Sequence, residues 1–392
     1  MMSWGYLVLH LLSHLLAGDL SRTFNFGRAI YSTLLLTSPF FVHRVSRTIM
    51  AWQPAIMGAS LGRAWLHDFD YKMEQAGKAG FKGIEIFYED IEYLARKLAA
   101  VTDASVTPTT EQLLAAARHA AQVCQKQGLE VIGLQPFLFY DGLKDREQHD
   151  RLIEKMKVWF QMAKLLNTTI IQIPANFLPA EQLTDDFDVI ASDLRELADM
   201  GAKEEPVINF AYENLCWSTH VDTWEKLWDV VKRVDRPNFG ACLDTFNIAG
   251  RVWADPTSPT GKTPNADADL KASLERMVAE VDMAKVFYIQ VVDAERLDSP
   301  LVKGHPFFVE GNPARMNWSR NARLFMYEDD RGAYLPVEEV AKVLIHDMGF
   351  KGYVSMELFS RTMSEEGQHV PDEHAQRGIA AWKKLVERLS LQ

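Results

Sequence analysis

Cysteine is scarce in this 392-residue chain: Cys124, Cys216 and Cys242 stand far apart and outside any metal-finger spacing. That excludes a disulfide scaffold and suits a reducing compartment such as the cytoplasm. Basic charge is also short. A net charge of −11 leaves no basic stripe for nucleic acid and disfavours a metal-dependent endonuclease. No glycine-rich dinucleotide or phosphate-loop signature is present, and no low-complexity linker divides the body of the chain. Long apolar runs are missing too. Trp4–Ala17, broken by His10 and His14, is too short to span a bilayer and lacks a basic n-region, so no stable membrane insertion is expected.

What is present divides at Met50. Residues 1–49 contain one acid, Asp19, against Arg22, Arg28, Arg44 and Arg47. They read as an extension outside the fold, either a gene-model artefact or a mitochondrial or secretory targeting segment. Residues 50–392 read as one catalytic domain, and 47% apolar content is enough to bury a large core.

From Trp52 onward, short continuous apolar runs alternate with amphipathic stretches. The runs are PAIMGAS, GFKGIEIF, LEVIGLQPF, TTIIQIPA, PVINFAYE, FGACLD, VFYIQVV and KGYVSMEL. Helical periodicity is expected over Asp68–Lys78, Thr110–Gln127, Arg146–Leu166, Thr184–Met200, Asp222–Val234, Ala266–Val281, Val337–Met348 and Ala375–Leu389. Eight strands that are apolar throughout, in alternation with helices, predict a closed (β/α)8 TIM barrel. After strand six, Thr245–Arg251 reads as a glycine-containing loop, and residues 292–335 as a long loop of little periodicity, the kind that forms lids or binding loops.

Several of these strands finish in a polar side chain, and the C-terminal ends of barrel strands are where such folds keep their chemistry. Glu213, Asp244, Gln290 and Glu357 belong to consecutive strands five to eight, and Glu85 to strand two. Three carboxylates and an amide oxygen make an all-oxygen site suited to Mg²⁺, Mn²⁺ or Co²⁺. The competing reading is that each acid caps the next helix or pairs with a loop arginine. Four such groups buried together without a cation would be costly, which favours the metal. Gln135 and Gln172 end strands three and four and either line the pocket or bond backbone. His67 and His305 are candidate acid/base groups. Arg315, Arg320, Arg323 and Arg331 crowd the long loop, where a guanidinium fork suits a substrate carboxylate.

Seven runs carry a specific likeness: LQPFLFYDGL, IIQIPANFLPAE, YENLCWSTHVDTWE, NFGACLDTFNIAGR, FYIQVVDAE, ARMNWSRNARLF and DRGAYLP. Together they resemble the fungal 3-dehydroshikimate dehydratases of quinate catabolism, within the xylose-isomerase-like barrels, and the likeness extends from about Trp52 to Val386. The resemblance implies a lyase that converts 3-dehydroshikimate to protocatechuate and water with one divalent cation. It implies Glu213, Asp244, Gln290 and Glu357 as the metal ligands and Arg296 as a substrate contact. A buried substrate carboxylate needs a guanidinium partner, and after Arg296 an arginine of the long loop, Arg320, is the second candidate. Glu85, Gln135, Gln172 and Asn247 are further candidate substrate contacts. Where the wider superfamily usually offers histidine, this chain has Gln290 and Asn247, so Glu213 or Glu357 is the first choice of base and His67 or His305 the second.

The same barrel could serve a sugar isomerase or epimerase, or a catalytically silent binder of a metabolite. Asn247 and Gln290 count against the first, and the complete set of oxygen donors against the second. A small molecule is the expected partner, and monomer or homo-oligomer is left open. A chain that starts at Met50 should fold and keep full activity, measured by circular dichroism and turnover; an insoluble or inactive product would place residues 1–49 in the fold.

Overall fold

The computed structural model describes residues 51–103 and 105–391, so the sequence reading of residues 1–49 lies outside the described residues. The chain opens with β1 (Trp52–Met57), α1 (Phe69–Ala79), β2 (Gly83–Phe87), α2 (Tyr88–Leu98) and α3 (Thr110–Gln127). It continues through β3 (Glu130–Gln135), α4 (Arg146–Leu165), β4 (Ile170–Pro174), α5 (Phe187–Gly201) and β5 (Asn209–Glu213). Then come α6 (Trp224–Val234), β6 (Phe239–Asp244), α7 (Thr245–Val252), α8 (Ala266–Glu280) and β7 (Val286–Val291). The last part holds α9 (Ala314–Ala322), α10 (Val337–Lys342), β8 (Gly352–Met356) and α11 (His369–Arg388). All eight strands pair in parallel, and β8 closes on β1 to complete the barrel.

Local chemistry explains most boundaries. Thr109 and Gln112 form a reciprocal capping box that starts α3, and Gly128 ends it in the left-handed region at φ 71°. The inner face of α6 buries Trp224, Leu227, Trp228 and Val231 against the sheet. Gly240 is required by packing: a Cβ there would lie 2.2 Å from the carbonyl oxygen of Lys285, where β6 and β7 approach.

Three segments differ from the sequence reading. Tyr88–Leu98 is an additional helix whose acidic first turn and basic last turn complement its dipole. Thr245–Val252 is a helix, not a loop, because Asp244 caps it. The excursion after β7 has its own structure: α9 and a two-residue antiparallel ladder pairing Asp293 with Leu324 and Ala294 with Arg323. Among the described residues no helix is long and apolar enough to cross a membrane.

Alternation along each strand sorts the barrel interior into layers. Ala211, Cys242 and Tyr288 pack with Ala55 and Ile132 in an apolar inner cluster. Two residues further along the same strands stand Glu213, Asp244 and Gln290.

The closing helix is tied to the barrel mouth by His374. Its ring is 1% exposed, with Nδ1 2.7 Å from the Ser60 carbonyl and Nε2 3.0 Å from Thr362 Oγ1. Burial, reinforced by the Arg377 charge, lowers its pKa to about 3. The unfolded chain therefore takes up a proton on this residue below about pH 6.5 that the native chain refuses. Stability should fall as pH drops through that window, by up to about 1.4 kcal/mol per unit from this residue. In urea titrations at pH 4–6, His374→Gln should flatten the slope by about one proton; an unchanged slope would mean that the native imidazole titrates normally.

Candidate active site

The acids meet because their strands are neighbours in register: Pro174 lies opposite Glu213, Asp244 opposite Gln290, and Gln290 opposite Ser355. Glu213, Asp244 and Glu357, all buried, each offer one carboxylate oxygen, and the three atoms lie within 4.8 Å of one another.

Amides from α7 and from neighbouring strands solvate this cluster. Asn247 Nδ2 donates to Glu213 Oε1 (2.9 Å) and Asp244 Oδ2 (2.7 Å), while its Oδ1 accepts from the Cys216 N–H. Gln172 Nε2 donates to Glu213 Oε2. Gln290 Nε2 donates to Glu357 Oε1 at 3.0 Å. One cation is built in. Arg323, 1% exposed, donates through Nη1 to Asp244 Oδ2 (3.0 Å) and to Glu357 Oε2. Its guanidinium carbon stands 4.2 Å from the centre of the Phe246 ring and 5.4 Å from that of Phe359.

Charge is under-compensated. Burial pushes Glu357 up to about 8 against the pull of Arg323, with Asp244 and Glu85 adding repulsion. Burial, then repulsion from Glu357 and Asp244, holds Glu213 well above the carboxylate range. Asp244 is raised by burial against the pull of Arg323. The donor set fits a hard divalent cation: Gln290 Oε1 is a buried amide oxygen with no hydrogen-bond partner, beside three carboxylates.

Above the acids lies a cavity of about 390 Å³. Glu213, Glu357, Gln135, Gln172 and Arg323 form its polar floor, and Phe87, Phe177, Trp217 and Phe359 its aromatic walls. Arg63 and Arg320 line it as well. Arg63 Nε is buried without a partner, and the pKa of Arg320 is lowered by burial and by the charge of Arg63.

The sequence-predicted residues divide accordingly. Glu213, Asp244, Gln290 and Glu357 come together, and Gln135, Gln172 and Arg320 line the cavity. Five others stand elsewhere. Arg296 is exposed and off the cavity wall, because the Asp293–Ala294 ladder turns the chain outward there and returns it at Arg323. Glu85 sits in the middle of β2, fully buried beneath the mouth, and Asn247 is spent on Glu213 and Asp244; neither lines the cavity. His67 packs against Gly62 outside the cavity, with burial and then Lys72 lowering its pKa. His305 turns back on its own loop, accepting from the Phe307 N–H. No histidine lines the cavity among the described residues.

Sequence reasoning missed Arg63, and it named Arg323 only as one of four loop arginines suited to a substrate carboxylate, not as the partner of Asp244 and Glu357. Arg63 follows β1 closely, a position at which a basic residue is a usable signal. Nothing local distinguishes Arg323 from its three neighbours in the loop. Asp244 also satisfies the competing reading, since it caps α7 through Oδ1 (2.8 Å to the Phe246 N–H) and pairs with Arg323.

Comparisons with known proteins agree with this fold. The family model described as xylose isomerase-like TIM barrel matches residues 73–385. A 3-dehydroshikimate dehydratase of Neurospora crassa is 56% identical over 86% of this chain and 94% of its own length. A 3-dehydroshikimate dehydratase of Pseudomonas aeruginosa is 28% identical over 74% of this chain but only 36% of its own length. Among solved structures, the IolI protein with a bound zinc atom superposes with a TM-score of 0.60 at 16% identity, over 86% of this chain and 99% of its own. The probable 3-dehydroshikimate dehydratase AsbF of Bacillus anthracis does so with a TM-score of 0.55 at 14% identity, over 84% and 98%. At such identities these two likenesses establish the fold alone. Closed parallel barrel, clustered strand-end acids and a match over most of its length together make this chain a member of the xylose isomerase-like TIM barrel family and a homologue of the Neurospora crassa 3-dehydroshikimate dehydratase.

Proposed function

We propose that this chain dehydrates 3-dehydroshikimate to protocatechuate, with a divalent cation held by Glu213, Asp244, Gln290 and Glu357. The Neurospora crassa relative of nearly equal extent supports the reaction. The observation that carries the metal is a trio of buried carboxylates beside an unsatisfied amide oxygen, with one guanidinium as counter-charge.

A bound divalent cation would supply Lewis acidity toward the substrate's ketone or neighbouring hydroxyl. The remaining steps fall to the chain's own groups. Arg320 and Arg63 hold the ring carboxylate, and the aromatic walls keep water from the flat ring. Glu213 or Glu357 removes the carbon-bound proton. The carboxyl group returns that proton to the hydroxyl β to the ketone, which departs as water, and tautomerisation completes the aromatic ring. A neutral keto-sugar would leave Arg320 beside the like charge of Arg63 with no carboxylate to hold, which favours the dehydratase over an isomerase or epimerase.

Chelation should abolish turnover, and Mg²⁺, Mn²⁺ or Co²⁺ should restore it, as read from the ultraviolet absorbance of the aromatic product. Asp244→Asn and Glu357→Gln should lose far more in kcat than in Tm. Turnover that survives chelation, with metal analysis confirming removal, would sink the cation.

The carboxylate contact is tested separately. Arg320→Ala should lower kcat/KM about a hundredfold, equivalent to about 2.7 kcal/mol, and Arg320→Lys should rescue little. Arg296→Ala, exposed and off the cavity, should stay within about twofold of wild type. The opposite ranking of the two alanine variants would move the carboxylate to Arg296.

A further inference from the structure

Glu85 is a fully buried carboxylate inside a barrel, and the reaction above gives it no task. Three neighbouring side chains donate to it. Ser355 Oγ donates to Oε1, Gln135 Nε2 to Oε2 at 2.6 Å, and Gln290 Nε2 to both oxygens at 3.2 and 3.1 Å. The Gln290 amide is thus held by its nitrogen between Glu85 below and Glu357 beside it. Both neighbours are acceptors, so only the NH₂ end can face them, and the oxygen is turned away. That oxygen, Oε1, is the buried atom left without a partner.

An amide has two ends of nearly equal size and opposite hydrogen-bonding character. A glutamine can serve as a metal ligand only if something fixes which end points at the ion. We infer that Glu85 is a positioning residue that holds the Gln290 carboxamide by its NH₂ end and so leaves Oε1 as the end free to meet a cation. Glu85 does not line the cavity and acts through Gln290. Glu85→Gln would introduce an NH₂ among the acceptors that hold the Gln290 amide and allow that amide to reverse. The inference rests on the proposed cation site, and the experiment separates the two.

The probe is Mn²⁺ alone, with free ion counted by electron paramagnetic resonance and no substrate present. Wild type should bind one Mn²⁺. Glu85→Gln should bind it about ten- to a hundredfold more weakly, as for other residues that orient metal ligands, with Tm equal to or above wild type. Loss of a nearby negative charge would also weaken binding, so the measurement is repeated in a Gln290→Ala background. There Glu85→Gln should change affinity by less than about twofold, because no amide remains to orient. Undiminished binding by Glu85→Gln, or an equal loss in the Gln290→Ala background, overturns the positioning role and leaves the cation site standing. Failure of wild type to bind Mn²⁺ overturns the cation site, and this inference with it.

Discussion

Four carboxyl groups, Glu85, Glu213, Asp244 and Glu357, are buried in one barrel with a single guanidinium among them, and the architecture of the mouth follows from that constraint. Ionised carboxylates in a dry interior require donors or cations. The strands answer with amides and a hydroxyl where a barrel core would otherwise place branched apolar residues: Gln135, Gln172, Gln290 and Ser355, with Asn247 from α7. Arg323 supplies one positive charge. Were the three clustered carboxylates ionised, one guanidinium would leave a charge deficit of the size a dication fills, so the cluster could hold one.

The long excursion after β7 gains its purpose from the same constraint. It leaves the barrel, forms α9 and comes back through the short ladder to place Arg323 over Asp244 and Glu357. The guanidinium lies among Phe246, Phe359 and Ser319, whose Oγ accepts from Nε at 2.9 Å. Removing such a partner from buried carboxylates typically costs about 3–5 kcal/mol. What resembles a surface loop in sequence is therefore part of the core of the site, and Ser319 and Arg320 reach the cavity wall from the same helix.

Asp244 shows how structure and chemistry share one side chain. Its Oδ1 accepts the Phe246 N–H and starts α7; its Oδ2 belongs to the acid cluster. The helix it starts returns Asn247 to the same carboxylates. Capping and membership of the acid cluster are thus compatible, since a carboxylate has two oxygens that can face opposite ways.

Much of this was determined by the sequence alone. Apolar runs of strand length separated by amphipathic stretches specify eight βα units, and the period of two along a strand fixes which residues share a face with Glu213, Asp244, Gln290 and Glu357. The cluster was legible because its members occupy equivalent ends of consecutive strands. Tertiary structure decided what spacing cannot encode. Arg296 lies six residues beyond Gln290 yet turns outward, while Arg323, thirty-three residues beyond it, returns through ladder pairing. His67 and His305 are consumed by local packing, and Glu85 sits one level too deep to meet a ligand. The reason is physical: strand periodicity is local and carries its own geometry, whereas the reach of a loop side chain depends on where its backbone finds partners across the fold.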